Sequence, residues 1–143
     1  MGKIRLGPDD IQLINLLEKI TGARARDVVM EGDKLCFLLG REEMGLAIGK
    51  GGCNIEKARV KFGKNILLIE YSEDYCQFVR NIFRPSEIDE VRISKSGRGK
   101  NIVIKAEKKY RRQIIGVGGE RINLARRLLD RYLGMKDVVI ETA

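Results

Sequence analysis

Ile48-Gly49-Lys50-Gly51-Gly52-Cys53-Asn54-Ile55 and Ile115-Gly116-Val117-Gly118-Gly119-Glu120-Arg121-Ile122 are two occurrences of one pattern, I-G-x-G-G-x-x-I, set 67 positions apart from Gly49 to Gly116. A Gly-x-x-Gly turn between two helices gathers main-chain N–H groups at a helix N-terminus, where the dipole favours an anion. Glycine at both ends of the turn lets a sugar-phosphate chain approach the backbone and permits φ > 0. A single cluster of this kind is most simply a helix–helix turn with no ligand. Two copies, at the same point of a repeated element order on a basic chain, point to phosphate binding.

The cations around the two clusters differ. Lys50 occupies the variable position of the first, and Lys57 and Lys61 follow one turn apart. The second has Val117 at that position, with Lys108, Lys109, Arg111 and Arg112 before it and Arg121, Arg126 and Arg127 after it. Arg121, just past the turn, is the stronger phosphate candidate among the latter. The expected ligand-contacting set is therefore Ile48 to Gly52, Asn54, Ile55, Lys57 and Lys61, with Lys108, Arg111, Arg112, Ile115 to Gly119, Arg121, Ile122 and Arg126.

Other chemistries find little material. The chain has no histidine, the commonest general base and metal ligand. Cys36, Cys53 and Cys76 form no C-x-x-C pair and read as reduced, mostly buried small hydrophobes. Neither a metal nor a cofactor is expected, and no catalytic residue. A Walker loop needs G-x-x-x-x-G-K-[ST], whereas Gly45 to Gly51 has one residue too few before its second glycine and no hydroxyl after Lys50. The dinucleotide fingerprint fails at Arg121, where a final glycine belongs. Of the carboxylate pairs, Glu42-Glu43 and Asp89-Glu90, the latter would face opposite sides of a strand. Both read as solvated surface, and no small-molecule substrate is implied.

The elements that must position these clusters repeat as well. Pro8-Asp9-Asp10 supplies helix-start chemistry before an apolar stripe at Ile11, Ile14, Leu17 and Ile20, closed by Gly22. Val28 to Met30 and Leu35 to Leu39, separated by Glu31-Gly32-Asp33, predict a hairpin. Residues 41–48 predict a helix, and Ile55, Ala58 and Phe62 a second one ending at Gly63. Ile66 to Ile69 predicts a buried strand. The isoleucines flanking each glycine cluster are expected to anchor these helices to the sheet.

The second copy predicts a helix over about 73–83 ended by Pro85, then strands near 91–93 and 102–104 with a longer hairpin connection at Ser96 to Lys100. Its last helix carries Ile122, Ala125, Leu128, Leu129 and Tyr132, and it should be about one turn longer than its counterpart. A strand at Val138 to Ile140 closes the copy. The fold class is thus α+β, two tandem α-β-β-α-α-β modules with a three-stranded sheet each, over 1–72 and 73–143. No Pro/Gly/Ser-rich linker separates them, which predicts a fixed relative orientation.

Charge supports a polyanionic partner. The net charge is +8, and it is uneven: residues 1–72 carry 12 Lys+Arg and 10 Asp+Glu, residues 73–143 carry 16 and 10. The second module is the stronger electrostatic attractor. Apolar runs are too short to span a bilayer and no signal-peptide h-region opens the chain, so no membrane partner and a cytoplasmic location are expected.

I-G-x-G-G-x-x-I between two helices resembles the signature of the KH family, whose Gly-x-x-Gly loop clamps four nucleotides of backbone. The element order resembles the prokaryotic, type II form. Tandem type II modules without a linker resemble those of the NusA family of termination and antitermination factors in its archaeal form. The resemblance implies a single-stranded RNA-binding protein acting on the nascent transcript, with RNA polymerase as a candidate partner. Aromatics are few and Phe37, Phe62 and Phe83 sit in apolar patterns, so bases are expected on an aliphatic floor and not on stacking platforms. A ribosomal-RNA or ribosome-assembly factor, and a basic protein-interaction module, are the alternatives.

Overall fold

A computed structural model describes residues 7–142; the outer ends of the two expected modules, residues 1–6 and 143, lie outside the described residues. The described residues divide into two compact units between Ser72 and Glu73.

In the first unit, α1 (Pro8–Thr21) starts with proline at its first position, where a missing N–H costs nothing, and the Asp10 carboxylate accepts the Gly7 N–H at 3.2 Å. It stops at Gly22, whose φ of 83° turns the chain out of the helix. Ile14 and Leu17 are fully buried, whereas Ile11 at the helix start stays exposed. The strands β1 (Ala25–Glu31) and β2 (Lys34–Leu39) pair as an antiparallel hairpin, and β3 (Asn65–Glu70) joins β2 in parallel. Central β2 is buried on both faces, which explains its unbroken Leu-Cys-Phe-Leu-Leu run. Between β2 and β3 the chain crosses over through α2 (Arg41–Ile48) and α3 (Cys53–Phe62). Leu35, Phe37 and Leu39 meet Ile14, Leu17, Ile55 and Ala58 in one core, with the Phe37 and Phe62 rings 5.6 Å apart. Burying such side chains contributes about 1.5–3 kcal/mol each.

The second unit repeats this order with α4 (Tyr75–Phe83), β4 (Glu90–Ser96), β5 (Gly99–Ala106), α5 (Arg111–Ile115), α6 (Glu120–Leu133) and β6 (Asp137–Thr142). Its sheet runs β4-β5-β6, again antiparallel and then parallel. Asp74 caps α4 by accepting the Cys76 N–H at 3.1 Å. The helix ends where Arg84 turns extended before Pro85, as the residue preceding a proline must. Helix α6 has 14 residues against 10 in α3, the extra turn read from the sequence.

Three expectations need correction. The second hairpin has no longer connection: Ser96 pairs with Gly99, leaving only Gly97-Arg98 between the strands. Ser96, Gly99 and Lys100 are strand, polar because they lie at the exposed strand ends that flank the two-residue turn. Of the flanking isoleucines, Ile55 and Ile122 are buried, but Ile48 is 41% exposed at the end of α2 and lies outside the buried core. Of the cysteines, Cys36 is buried, Cys76 is half-buried and Cys53 is exposed at the start of α3.

Candidate nucleic-acid interface

Both glycine clusters fold as a 3₁₀ turn between two helices, Lys50–Gly52 and Val117–Gly119. Their backbones coincide almost degree for degree. Gly49 has φ 74°, ψ 170° and Gly116 φ 80°, ψ 169°, a region essentially reserved for glycine. Gly51 and Gly118 follow at φ 61° and 60°, and Gly52 and Gly119 both at 79°, in the left-handed region.

The three glycines of each turn do different work. A Cβ on Gly49 would lie 2.9 Å from the Asn54 main-chain N, and one on Gly116 2.8 Å from that of Arg121, so the chain crosses itself there and only hydrogen fits. A Cβ on Gly51 or Gly118 would meet nothing within 4 Å. That position faces open space, where a ligand would approach. The turn's own hydrogen bonds engage the amides of Gly49 (to Gly45 O, 2.9 Å) and Gly52 (to Gly49 O, 3.1 Å), and Gly116 and Gly119 repeat them. Among the described residues, the Lys50 and Gly51 amides, like those of Val117 and Gly118, are not used by the turn and are the donors left for an anion.

Asn54 and Arg121 occupy the same repeat position, and each donates to main-chain carbonyls outside the turn. Asn54 Nδ2 donates to Leu46 O at 2.8 Å and reaches Thr21 O at 3.5 Å. Arg121 Nη1 donates to Ile82 O at 2.9 Å and Arg84 O at 3.0 Å. Arg121 thus binds the carbonyls at the end of α4, groups that a helix cannot satisfy internally, whereas Asn54 bonds chiefly within the α2–turn–α3 segment and only reaches the end of α1. One guanidinium nitrogen of Arg121 is thereby held at the C-terminal end of α4. The equal offset of the two residues was visible in the sequence; their carbonyl partners were not.

The cations sort by their partners. Lys108, Arg111 and Arg112 are exposed, make no ion pair among the described residues, and line with Ile115 and Gly116 a hollow of about 360 Å³ at the second loop. Lys109 instead sits 3.6 Å from Glu107, whose charge holds its ammonium pKa above the usual 10.5. Arg126 is committed on both sides, its Nε to Asp137 at 3.0 Å and its Nη1 to Asn123 at 3.2 Å. Lys50 is exposed on the first loop, and Val117, at the matching place, is 82% exposed. Lys57 and Lys61 border a groove between α1 and α3. Among the described residues no cluster of His, Cys, Asp or Glu could hold a metal, and no helix is long and apolar enough to cross a membrane.

No family model matches the chain. Curated archaeal proteins named Probable transcription termination protein NusA do. That of Methanococcus vannielii is 41% identical over 138 residues, covering 96% of this chain and 80% of the relative. That of Methanocaldococcus jannaschii is 37% identical over 132 residues, 92% and 72% of the two chains. The Halococcus morrhuae protein is 31% identical, with 95% and 97% covered. Among solved structures, the crystal structure of APE1850 matches with a TM-score of 0.81 at 32% identity, covering 95% of this chain and all of that one. Sequence relatives and fold agree, and the chain belongs to the archaeal NusA-type family of transcription termination proteins.

Proposed function

We propose that the chain binds single-stranded RNA with two type II KH modules, each holding the sugar-phosphate backbone on its Gly-x-x-Gly loop, and that it acts through this binding in transcription termination. The observation that carries the reading is the congruence of the two loops: the same glycine conformations recur 67 residues apart, each with its ligand-side position open and two amides to spare. The basic hollow of Lys108, Arg111 and Arg112 gives the second loop the electrostatic attraction that phosphate binding requires. The names of the relatives support a role in transcription termination; action on the nascent transcript, a cytoplasmic location and RNA polymerase as protein neighbour are part of the proposal.

The test exchanges Gly51 and Gly118 for Asp and, in parallel, for Asn. Both residues tolerate the left-handed conformation better than other side chains, so the Asn variants report strain and bulk while the Asp variants add a charge at the phosphate position. A carboxylate about 5 Å from a phosphate costs roughly 1–3 kcal/mol between the water and protein-surface dielectric limits. Binding of a labelled single-stranded RNA should therefore weaken by roughly 5- to 150-fold beyond the Asn variants. A folded Gly51→Asp/Gly118→Asp double variant with unchanged RNA affinity rules out the clamp.

A further inference from the structure

We infer that the groove between α1 and α3 of the first unit is a docking site for an acidic amphipathic helix of a partner protein, a function separate from RNA binding. The groove holds about 840 Å³ and its walls are apolar: Leu16 and Ile20, one turn apart on α1, face Val60 on α3. Val60 is 80% exposed on a helix whose other face buries Ile55 and Ala58 in the core. A β-branched side chain on an exposed helix position gains nothing from helix propensity or from the core. Covering it with an apolar partner would remove that surface from water.

Charge selects the kind of helix. Lys19, Lys57 and Lys61 rim the groove, and none is ion-paired among the described residues. The sole acid on the lining, Glu56, has its carboxylate bonded to Arg59. A positive rim around an apolar floor is complementary to a helix with leucine-type residues on one face and glutamate or aspartate beside them. From Cys53 to Lys61, α3 offers roughly 12 Å of wall at 1.5 Å per residue, enough for two turns of a third helix. RNA suits the groove less well. Both walls are helix bodies, whose amides past the first turn are bonded within the helices and leave few donors for a phosphate.

The full chain is titrated into a fluorescein-labelled peptide of about four helical turns, leucine at three- and four-residue spacing and glutamate elsewhere, and separately into a labelled single-stranded RNA. Saturable peptide binding is expected, weakened at least about tenfold by Val60→Glu, while RNA affinity of that variant stays at the parent value. Lys57→Glu/Lys61→Glu should lose the acidic peptide and take up the same peptide carrying lysine in place of glutamate, an exchange that a misfolded variant cannot produce. Absence of saturable binding to the parent chain overturns the proposal. So does a Val60→Glu variant that binds the peptide as well as the parent, or one that loses RNA instead, which would assign the groove to the transcript.

Discussion

Replacing Lys108, Arg111 and Arg112 together with glutamine should change how RNA binding depends on salt more than how the protein folds. All three side chains are exposed and none is ion-paired among the described residues, so the fold loses no contact on which it depends. On single-stranded RNA each phosphate neutralised contributes about 0.7 to the slope of log affinity against log salt. Three cations each meeting one phosphate then account for a slope of about 2, and Lys50, alone on the first loop, for about 0.7. Over one decade of salt the parent should lose about 100-fold more affinity than the triple variant. Fluorescence anisotropy of a labelled oligoribonucleotide across that range measures both slopes, and thermal unfolding verifies the fold. The reasoning fails if the triple variant keeps the parent slope, or if Lys50→Gln removes more of it than the three substitutions do. The latter result would assign the dominant phosphate contact to the less basic unit.

Further outcomes follow from individual residues. Gly116→Ala should lower stability by roughly 3 kcal/mol, since it forces a side chain into a glycine-only region of backbone space and against the Arg121 main chain; Gly118→Ala should cost only about 1–2 kcal/mol. Urea unfolding of the two variants gives the comparison. Arg121→Ala removes the bonds to Ile82 O and Arg84 O and should destabilise the second unit by about 1–2 kcal/mol while leaving the salt slope of RNA binding unchanged; a slope reduced by about 0.7 would return Arg121 to the phosphate contacts. Cys53 should react with maleimide in the native protein and Cys36 only after denaturation, as read by mass spectrometry of the labelled peptides.

The repeat made most of the fold legible. Helix α2 falls on residues 41–48 as read, Gly22, Gly63 and Gly134 end the helices before them, and the extra turn of α6 followed from the altered spacing between Gly116 and the last apolar run. These features are local, set by glycine conformations and periodicity, and local signals survive in a sequence. The misread hairpin at Ser96 to Lys100 shows where they weaken. Glycine and lysine there resemble a loop, yet the cross-strand ladder to Gly99 decides the conformation. Side-chain partners were harder still. Nothing in the sequence says that Arg121 turns toward the end of α4 while Arg112 faces solvent, because that depends on which carbonyls are left unbonded nearby. The exposed groove wall had a weak signal: Val60 lies off the stripe of Ile55, Ala58 and Phe62 and is the one apolar residue between them that the core does not need.

The near-identity of the two turns, with Lys50 in one and Val117 in the other, separates form from chemistry. The curvature of each turn is carried by its glycine torsions, and the intervening residue contributes only its main-chain carbonyl, which accepts the Cys53 or Glu120 N–H. That residue can therefore change without cost to the cradle. Swapping Lys50 and Val117 would exchange the tastes of the two loops while leaving both frames standing. A duplicated module of this design can drift toward a new ligand one side chain at a time, never passing through an unfolded ancestor.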